Sequence, residues 1–219
     1  MSETCPLPPL SGQLPVPRSS EVVVQVSRLV RIFFRDGPYP SDWMEFRTDG
    51  PLASGRFDHH HPGVAAGVMY AARRGSPPAG LDAFACAVAE TFQLSRVVDV
   101  TTRQPWVVWW TPTRPLRLLD LGSTWTTRAG GNQALCSGDR NVSRSWARAI
   151  HRAIGTWTGP DLDGLTWPSS VVGPGKSVVL TERAADAIPH RPDLIRPLAD
   201  PGLGPAVRRA AARIGYLVV

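Results

Sequence analysis

Apolar positions along the chain fall into short, separated runs with no single long period. Residues 1 to about 19 are rich in Pro and Ser and carry no apolar period, so they are expected to form an arm that is mobile or hugs the surface. Over residues 21–34 (EVVVQVSRLVRIFF) Val and Ile dominate, which predicts a strand or a pair of strands. Asp-Gly, Pro and Ser-Gly signals make residues 36–55 a long turn-rich stretch leading into Gly55-Arg56-Phe57-Asp58. Residues 64–72 (VAAGVMYAA) are too short for period alone to separate strand from helix; a strand is expected around 68–71.

Residues 81–94 (LDAFACAVAETFQL) give the clearest helix. They hold strong formers, no internal Gly or Pro, and an apolar series Leu81, Phe84, Ala85, Val88, Phe92 at helical spacing, with Asp82 placed well for the dipole. Two β-type runs bounded by prolines follow at 106–110 (WVVWW) and 116–121. A second helix is expected over about 143–154, with Trp146, Ala147, Ile150 and Ile154 on one side and Arg144, Arg148 and Arg152 largely opposite. A strand at 177–180 and a short helix at 206–214 complete the series. Runs of strand broken by only two or three helices predict an α+β fold with mixed β-sheets: an arm over 1–19, then one domain over 20–219.

The chain has 219 residues, 42% hydrophobic and 19% charged, enough for a sizeable core. With no run of 18 apolar residues and no basic, apolar leader, neither a membrane span nor a signal peptide is expected, and the cytoplasm is the expected location. Cys5, Cys86 and Cys136 are odd in number and far apart, so they read as free thiols. The formal charge is +6, and Lys176 is the only lysine beside 23 arginines. A GC-rich genome accounts for such a skew; an anionic ligand does too, because guanidinium forks match phosphate oxygens. The arginines are scattered, without the basic stripe of a nucleic-acid surface.

Glu90, one of five glutamates, stands out because its helix is apolar nearly all round: Cys86, Ala87 and Leu94 lie at i−4, i−3 and i+4. A carboxylate there must be paired or perturbed, either as a buried ion pair with an arginine or as a group at the edge of a dry cleft. Gly173-Pro-Gly-Lys-Ser177 lacks the first Gly and the following helix of a phosphate loop, and reads as a turn into a strand. His59, His60 and His61 supply two ligands on one strand face at most, and a solvated loop is expected. Asn141-Val-Ser143 reads as a helix cap. No Gly-x-Ser-x-Gly elbow supports a serine triad.

Taken in order, five segments resemble the RES-domain family, which includes toxins of bacterial toxin-antitoxin pairs. Leu29-Val-Arg31-Ile looks like its opening strand, and Gly55-Arg56-Phe57-Asp58 is similar to its Gly-Arg-Trp-Asn segment. Met69-Tyr70-Ala71 resembles the next strand, Ala83 to Glu90 the helix that presents the glutamate, and Gly164-Leu-Thr-Trp-Pro-Ser169 the late Gly-x-x-Tyr-Pro-Ser element. The resemblance spans about 26–185. Asp58 stands where Asn is common, the stretch 73–81 is longer than usual, and Ser170-Val171 replaces a small residue followed by Arg.

The resemblance implies a fold similar to the ADP-ribosyltransferase toxins and an NAD-binding cleft in which the nicotinamide-ribose bond is cleaved. It singles out Glu90, Ser169 and Arg31 for catalysis, and Arg31, Arg56, Tyr70 and Ser169 for holding NAD. That bond breaks through an oxocarbenium-like state that a carboxylate stabilises. Two arginines suit a pyrophosphate. NAD is then a substrate; no metal is needed, and no Rossmann fingerprint is present. The function expected is an NAD glycohydrolase or phosphorylase acting as a toxin, with a cognate antitoxin as partner and a homodimer left open. A protein ADP-ribosyltransferase and a basic nucleic-acid-binding module are the alternatives, and direct binding of nucleic acid is not expected.

Overall fold

The computed structural model describes residues 4–60, 66–75, 82–159 and 161–219. The first Val-rich stretch divides into β1 (Val22–Gln25) and β2 (Leu29–Phe34), because Gln25 folds over the turn between them and its Nε2 donates to Ser27 O at 2.7 Å. There follow β3 (Val68–Arg73), α1 (Ala83–Thr91), β4 (Val97–Val98), β5 (Pro105–Trp110), β6 (Leu116–Asp120), α2 (Thr124–Arg128), α3 (Ala134–Ser137) and α4 (Arg140–Ile154). The chain ends with β7 (Gly164–Pro168), β8 (Lys176–Thr181), β9 (Leu194–Pro197), α5 (Gly204–Ile214) and β10 (Leu217–Val218). The fold is α+β.

Eight strands form one sheet in the order β1-β6-β7-β8-β3-β2-β5-β9, and β4 pairs with β10 separately. Every pair in the large sheet is antiparallel except β6 with β7. The register sets what faces what. Ser177 on β8 lies opposite both Ala72 on β3 and Trp167 on β7, so the three form one row on one face. Ala72 packs into the layer made by α1 and α5, whereas Trp167 packs into the layer made by α2, α3 and α4. The two helical layers therefore share a face of the sheet and leave a furrow between them, floored by Ser177. The opposite face buries Leu29, Met69, Val108, Val178 and Leu180 against Trp43, Ala184 and Ala187.

The N-terminal segment is bonded into this structure. Cys5 and Leu14 are buried in the α2–α4 layer, and three indole N–H groups donate to the segment's carbonyls: Trp146 to Pro6 at 2.8 Å, Trp125 to Pro15 at 2.9 Å and Trp157 to Leu14 at 3.3 Å. Buried indoles need acceptors, and this segment supplies them.

Several sequence expectations change in detail. The first helix closes at Thr91, with Phe92 as its cap, so Leu94 lies beyond the helix and is exposed; Leu81 lies outside the described residues. Asp82 caps the helix, accepting from Ala85 N at 2.8 Å. The second helix begins at Arg140 because Asp139 caps it, accepting from Asn141 N at 2.7 Å. Asn141-Val-Ser143 is therefore inside the helix and is not its cap, and Ser143 is buried. Gly173-Pro-Gly-Lys-Ser177 does turn into a strand, β8.

The solvated loop expected for the histidine run is not what forms. His59 and His60 are both about nineteen-twentieths buried, at 5% and 4% exposure, while His61 lies outside the described residues. The cause is Asp58. Its fully buried carboxylate accepts from Arg47 Nη2 at 2.8 Å through both oxygens, from Leu52 N at 2.8 Å and from Tyr70 Oη at 2.8 Å, drawing the segment inward. His59 then stacks on His151 of α4, ring centres 4.0 Å apart, and His60 Nε2 lies 3.1 Å from Arg47 O. Gly55 is required here, since a Cβ would sit 2.3 Å from the Asp58 carboxylate.

Candidate active site

The furrow between the helical layers is a cleft of about 210 Å³, and a neighbouring groove of about 290 Å³ shares Arg31, Arg47 and Tyr70 with it. Glu90 lines it from α1, Arg31 from β2, Tyr70 from β3, Ser177 from β8, Arg56 from the loop before Asp58 and Arg140 from the start of α4. Four of the five residues singled out from the sequence thus border one cleft, Arg31 from a strand position whose register partner, Val108, lies on the opposite face, where Trp43 O and Glu45 O hold its guanidinium. Ser169, the fifth, is buried behind Glu90 just after β7.

Glu90 is held from two sides. Ser169 Oγ donates to its Oε1 at 2.6 Å and Ser177 Oγ donates to the same oxygen at 3.0 Å. Ser169 has its orientation fixed in turn, because its Oγ accepts from Val171 N at 3.1 Å and Val172 N at 3.0 Å, leaving its proton for the carboxylate. Among the described residues Glu90 makes no salt bridge, so the buried ion pair weighed from the sequence does not form. The carboxylate is positioned by hydroxyls, and its charge is left uncancelled.

Arginines line the same cleft. Arg31 is buried and its Nη1 donates to Trp43 O at 3.0 Å and Glu45 O at 2.8 Å; burial pulls its pKa down to about 10, so it stays cationic at neutral pH. Arg56 is buried as well, with Nη1 donating to Gly138 O at 2.7 Å and Ser143 Oγ at 3.3 Å. Burial and the neighbouring Arg140 lower its pKa, while Glu90 raises it. Arg47 is neutralised by Asp58. Among the described residues, Arg31, Arg56 and Arg140, together with the neutralised Arg47, thus line the cleft beside the carboxylate of Glu90.

Tyr70 is fixed by its hydroxyl, which donates to Asp58 and accepts from Phe57 N at 2.9 Å. Burial and the Asp58 carboxylate hold its pKa well above the usual tyrosine value, so it remains a donor. Its ring meets Trp167 edge-on at 6.3 Å, and Trp167 packs on Phe57 at 4.5 Å. Cys86 faces the same region, but burial and then Glu90 push its thiol up to about 12, which leaves it a weak nucleophile.

Ser177, Arg140 and Gln93 belong to the site and escaped the sequence reading. Only the register of β8 against β3 and β7 reveals Ser177, and Arg140 is one arginine among many. Outside the cleft, His59, His151 and Glu182 bring ligand atoms within 4.8 Å of one another. The two imidazoles stack nearly parallel, at 12°, so their in-plane lone pairs run side by side and do not converge on a common ion.

A family model of the RES domain matches residues 28–199. The chain belongs to the RES domain family. The match contains every cleft residue named above. Among solved structures, a chain from the crystal structure of the Mycobacterium tuberculosis MbcT-MbcA toxin-antitoxin complex is similar, with a TM-score of 0.56 at 12% identity, covering 91% of this chain and 96% of that chain. At that identity the likeness carries the fold. No curated protein matches the sequence. Among the described residues no helix is long and apolar enough to cross a membrane.

Proposed function

We propose that this RES-domain protein consumes NAD, breaking the nicotinamide-ribose bond, and acts as the toxin of a toxin-antitoxin pair. One observation carries the reading: a carboxylate held by two hydroxyls, with no cation cancelling its charge, faces an arginine-lined cleft. As the bond to nicotinamide lengthens, positive charge grows on the ribose ring, and a fixed, uncompensated carboxylate lowers the energy of that state more than of the ground state. Ser169 and Ser177 are positioning residues here, since their protons point at Glu90. Arg31 and Arg56 supply donors for the pyrophosphate, whose two negative charges suit a cleft richer in arginine than in acid. Tyr70 and Trp167 offer aromatic surface beside them.

The test is incubation of the purified protein with NAD, with and without inorganic phosphate, followed by chromatography. Release of nicotinamide is the expected result, and the partner product, ADP-ribose or its 1″-phosphate, tells hydrolysis from phosphorolysis. Label transferred to macromolecules would instead place the protein among transferases. Unchanged NAD would overturn the reading. Regulated expression in a bacterial host should deplete NAD and arrest growth, relieved by a cognate antitoxin.

A further inference from the structure

We infer that Arg144 is a positioning residue for one wall of the cleft: its guanidinium holds the loop 52–56 in the shape that receives the ligand, while the chemistry stays on the facing wall. The inference rests on the NAD reading only for the identity of that ligand. Leu52, Ser54, Gly55 and Arg56 line the cleft, and Leu52 and Ser54 border the neighbouring groove as well. Yet this wall is an irregular loop, and Ala53 and Ser54 are exposed. Such a segment keeps one shape only if its main-chain carbonyls find donors.

Arg144 supplies them. From the second turn of α4 its Nε donates to Gly55 O at 2.9 Å, and its Nη2 donates to Leu52 O and, at 3.2 Å, to Ala53 O, so three carbonyls of one loop share one guanidinium. Its Nη1 donates to Asn141 Oδ1 at 3.3 Å, which braces it from its own helix. Among the described residues Arg144 makes no salt bridge, so its donors serve the main chain. The loop is gripped on both sides of Leu52, whose amide donates to Asp58 Oδ2 at 2.8 Å while its carbonyl takes Arg144. A planar fork of several donors can span these carbonyls, whereas an ammonium on a flexible stem is a single point of attachment. The carboxylate side of the cleft has other supports: Glu90 stands on α1, and the serines that hold it stand on β8 and just after β7. Losing the clamp therefore blurs the wall that binds and leaves the carboxylate aimed, an effect on affinity more than on rate.

Two variants separate the clamp from ordinary stability: Arg144→Met, which keeps an apolar stem and removes every donor, and Arg144→Lys, which keeps the charge. Each should be compared with wild type in steady-state turnover of NAD, in melting temperature, and in hydrogen exchange of the Leu52 and Gly55 amides, which are bonded to Asp58 and to Leu52 O. Arg144→Met is expected to raise KM for NAD roughly tenfold or more with kcat within about threefold of wild type, and to speed exchange at those two amides while α1 exchanges as before. Lys is expected to restore only part of the affinity. Should Arg144→Met fail to fold, the same readings are taken from Arg144→Lys. A fall in kcat at unchanged KM, or both constants unchanged in a folded variant, would overturn the inference and leave the NAD reading intact. So would exchange that quickens evenly over the whole chain with a matching fall in melting temperature, since Arg144 would then serve stability alone. If wild type does not consume NAD, that reading falls and loop exchange decides on Arg144 by itself: quickening confined to 52–56 upholds the clamp, and unchanged exchange refutes it.

Discussion

Asp58 and Glu90 are two carboxylates within the same region, and the protein treats them in opposite ways. Asp58 is fully buried, and its oxygens take a guanidinium, a backbone amide and a phenol. Glu90 is partly exposed to the cleft and takes two hydroxyls on one oxygen, with no cation in contact. A carboxylate whose charge is cancelled fixes the chain around it. One whose charge is only aimed remains able to act on a ligand. The first therefore stabilises, through the loop that carries Arg56, the surroundings in which the second works.

The contrast breaks first at Glu90. Under the proposed reaction Glu90→Gln keeps the size and the two serine contacts but removes the charge, so NAD turnover is expected to fall by roughly 10² to 10⁴, about 3 to 5 kcal/mol of transition-state stabilisation. The melting temperature should stay within a few degrees of wild type. Near-normal turnover in a folded variant would remove Glu90 from the chemistry.

Asp58→Ala should do the reverse. It leaves Arg47 and the Tyr70 hydroxyl without their buried partner, and breaking such a buried pair costs about 3 to 5 kcal/mol of stability. Urea denaturation is expected to show that loss, while the protein that still folds keeps measurable kcat and loses affinity for NAD as Tyr70 and Arg47 come free. A stable but inactive Asp58→Ala protein would mean that the two carboxylates are not divided in this way.

How far all this can be read in the sequence follows from the range of the interactions. The strands β2, β5 and β8 and the helix α1 were legible because each is a local run of β-branched or strongly helix-forming residues. The short helices α2 and α3 were not, since Thr124-Trp-Thr-Thr is a weak helix former and is held by the buried Trp125. The pairing of β4 with β10 joins the middle of the chain to its C-terminal end and has no local signal. Within the cleft, Glu90 was visible as a lone carboxylate on an apolar helix. Ser177 was not, because its role depends on strand register. The histidine run was misread for the same reason: its burial is imposed by Asp58, by Arg47 and by His151 on a distant helix.

That buried run gives a pH-dependent prediction for the Asp58 side of the comparison. Burial, then His151 and His60, pull the pKa of His59 down to about 3, below its unfolded value near 6.5. The folded state holds the ring neutral while the unfolded chain takes up a proton below pH 6.5. This contribution to stability is therefore full above about pH 6.5 and is lost as pH falls from there toward 3. Between pH 7 and pH 5 the loss should be about 2 kcal/mol from this residue. The pKa of His151 is lowered in the same direction by burial and by Arg183. Denaturant melts of wild type and His59→Phe across this range would check it; an equal slope in both would show that His59 carries none of the dependence.

The smallest expected effect sharpens the Glu90 side. Ser169 and Ser177 both donate to Oε1, so removing either leaves one donor and should cost about 1.4 kcal/mol, a tenfold fall in kcat. The two are not equivalent. Ser169 makes the shorter bond, 2.6 Å against 3.0 Å, and also accepts the amides of Val171 and Val172, so Ser169→Ala loosens the turn after β7 as well. Ser169→Ala is expected to lower both kcat and melting temperature, and Ser177→Ala to lower kcat alone. Because neither hydroxyl has a proton to spare for substrate in this arrangement, KM for NAD should move little in Ser169→Ala. A large rise in KM with kcat unchanged would instead mean that the serine turns away from Glu90 to bind substrate directly. Ser169→Thr, which keeps the hydroxyl, should recover most of the lost kcat if the bond to Glu90 is what matters.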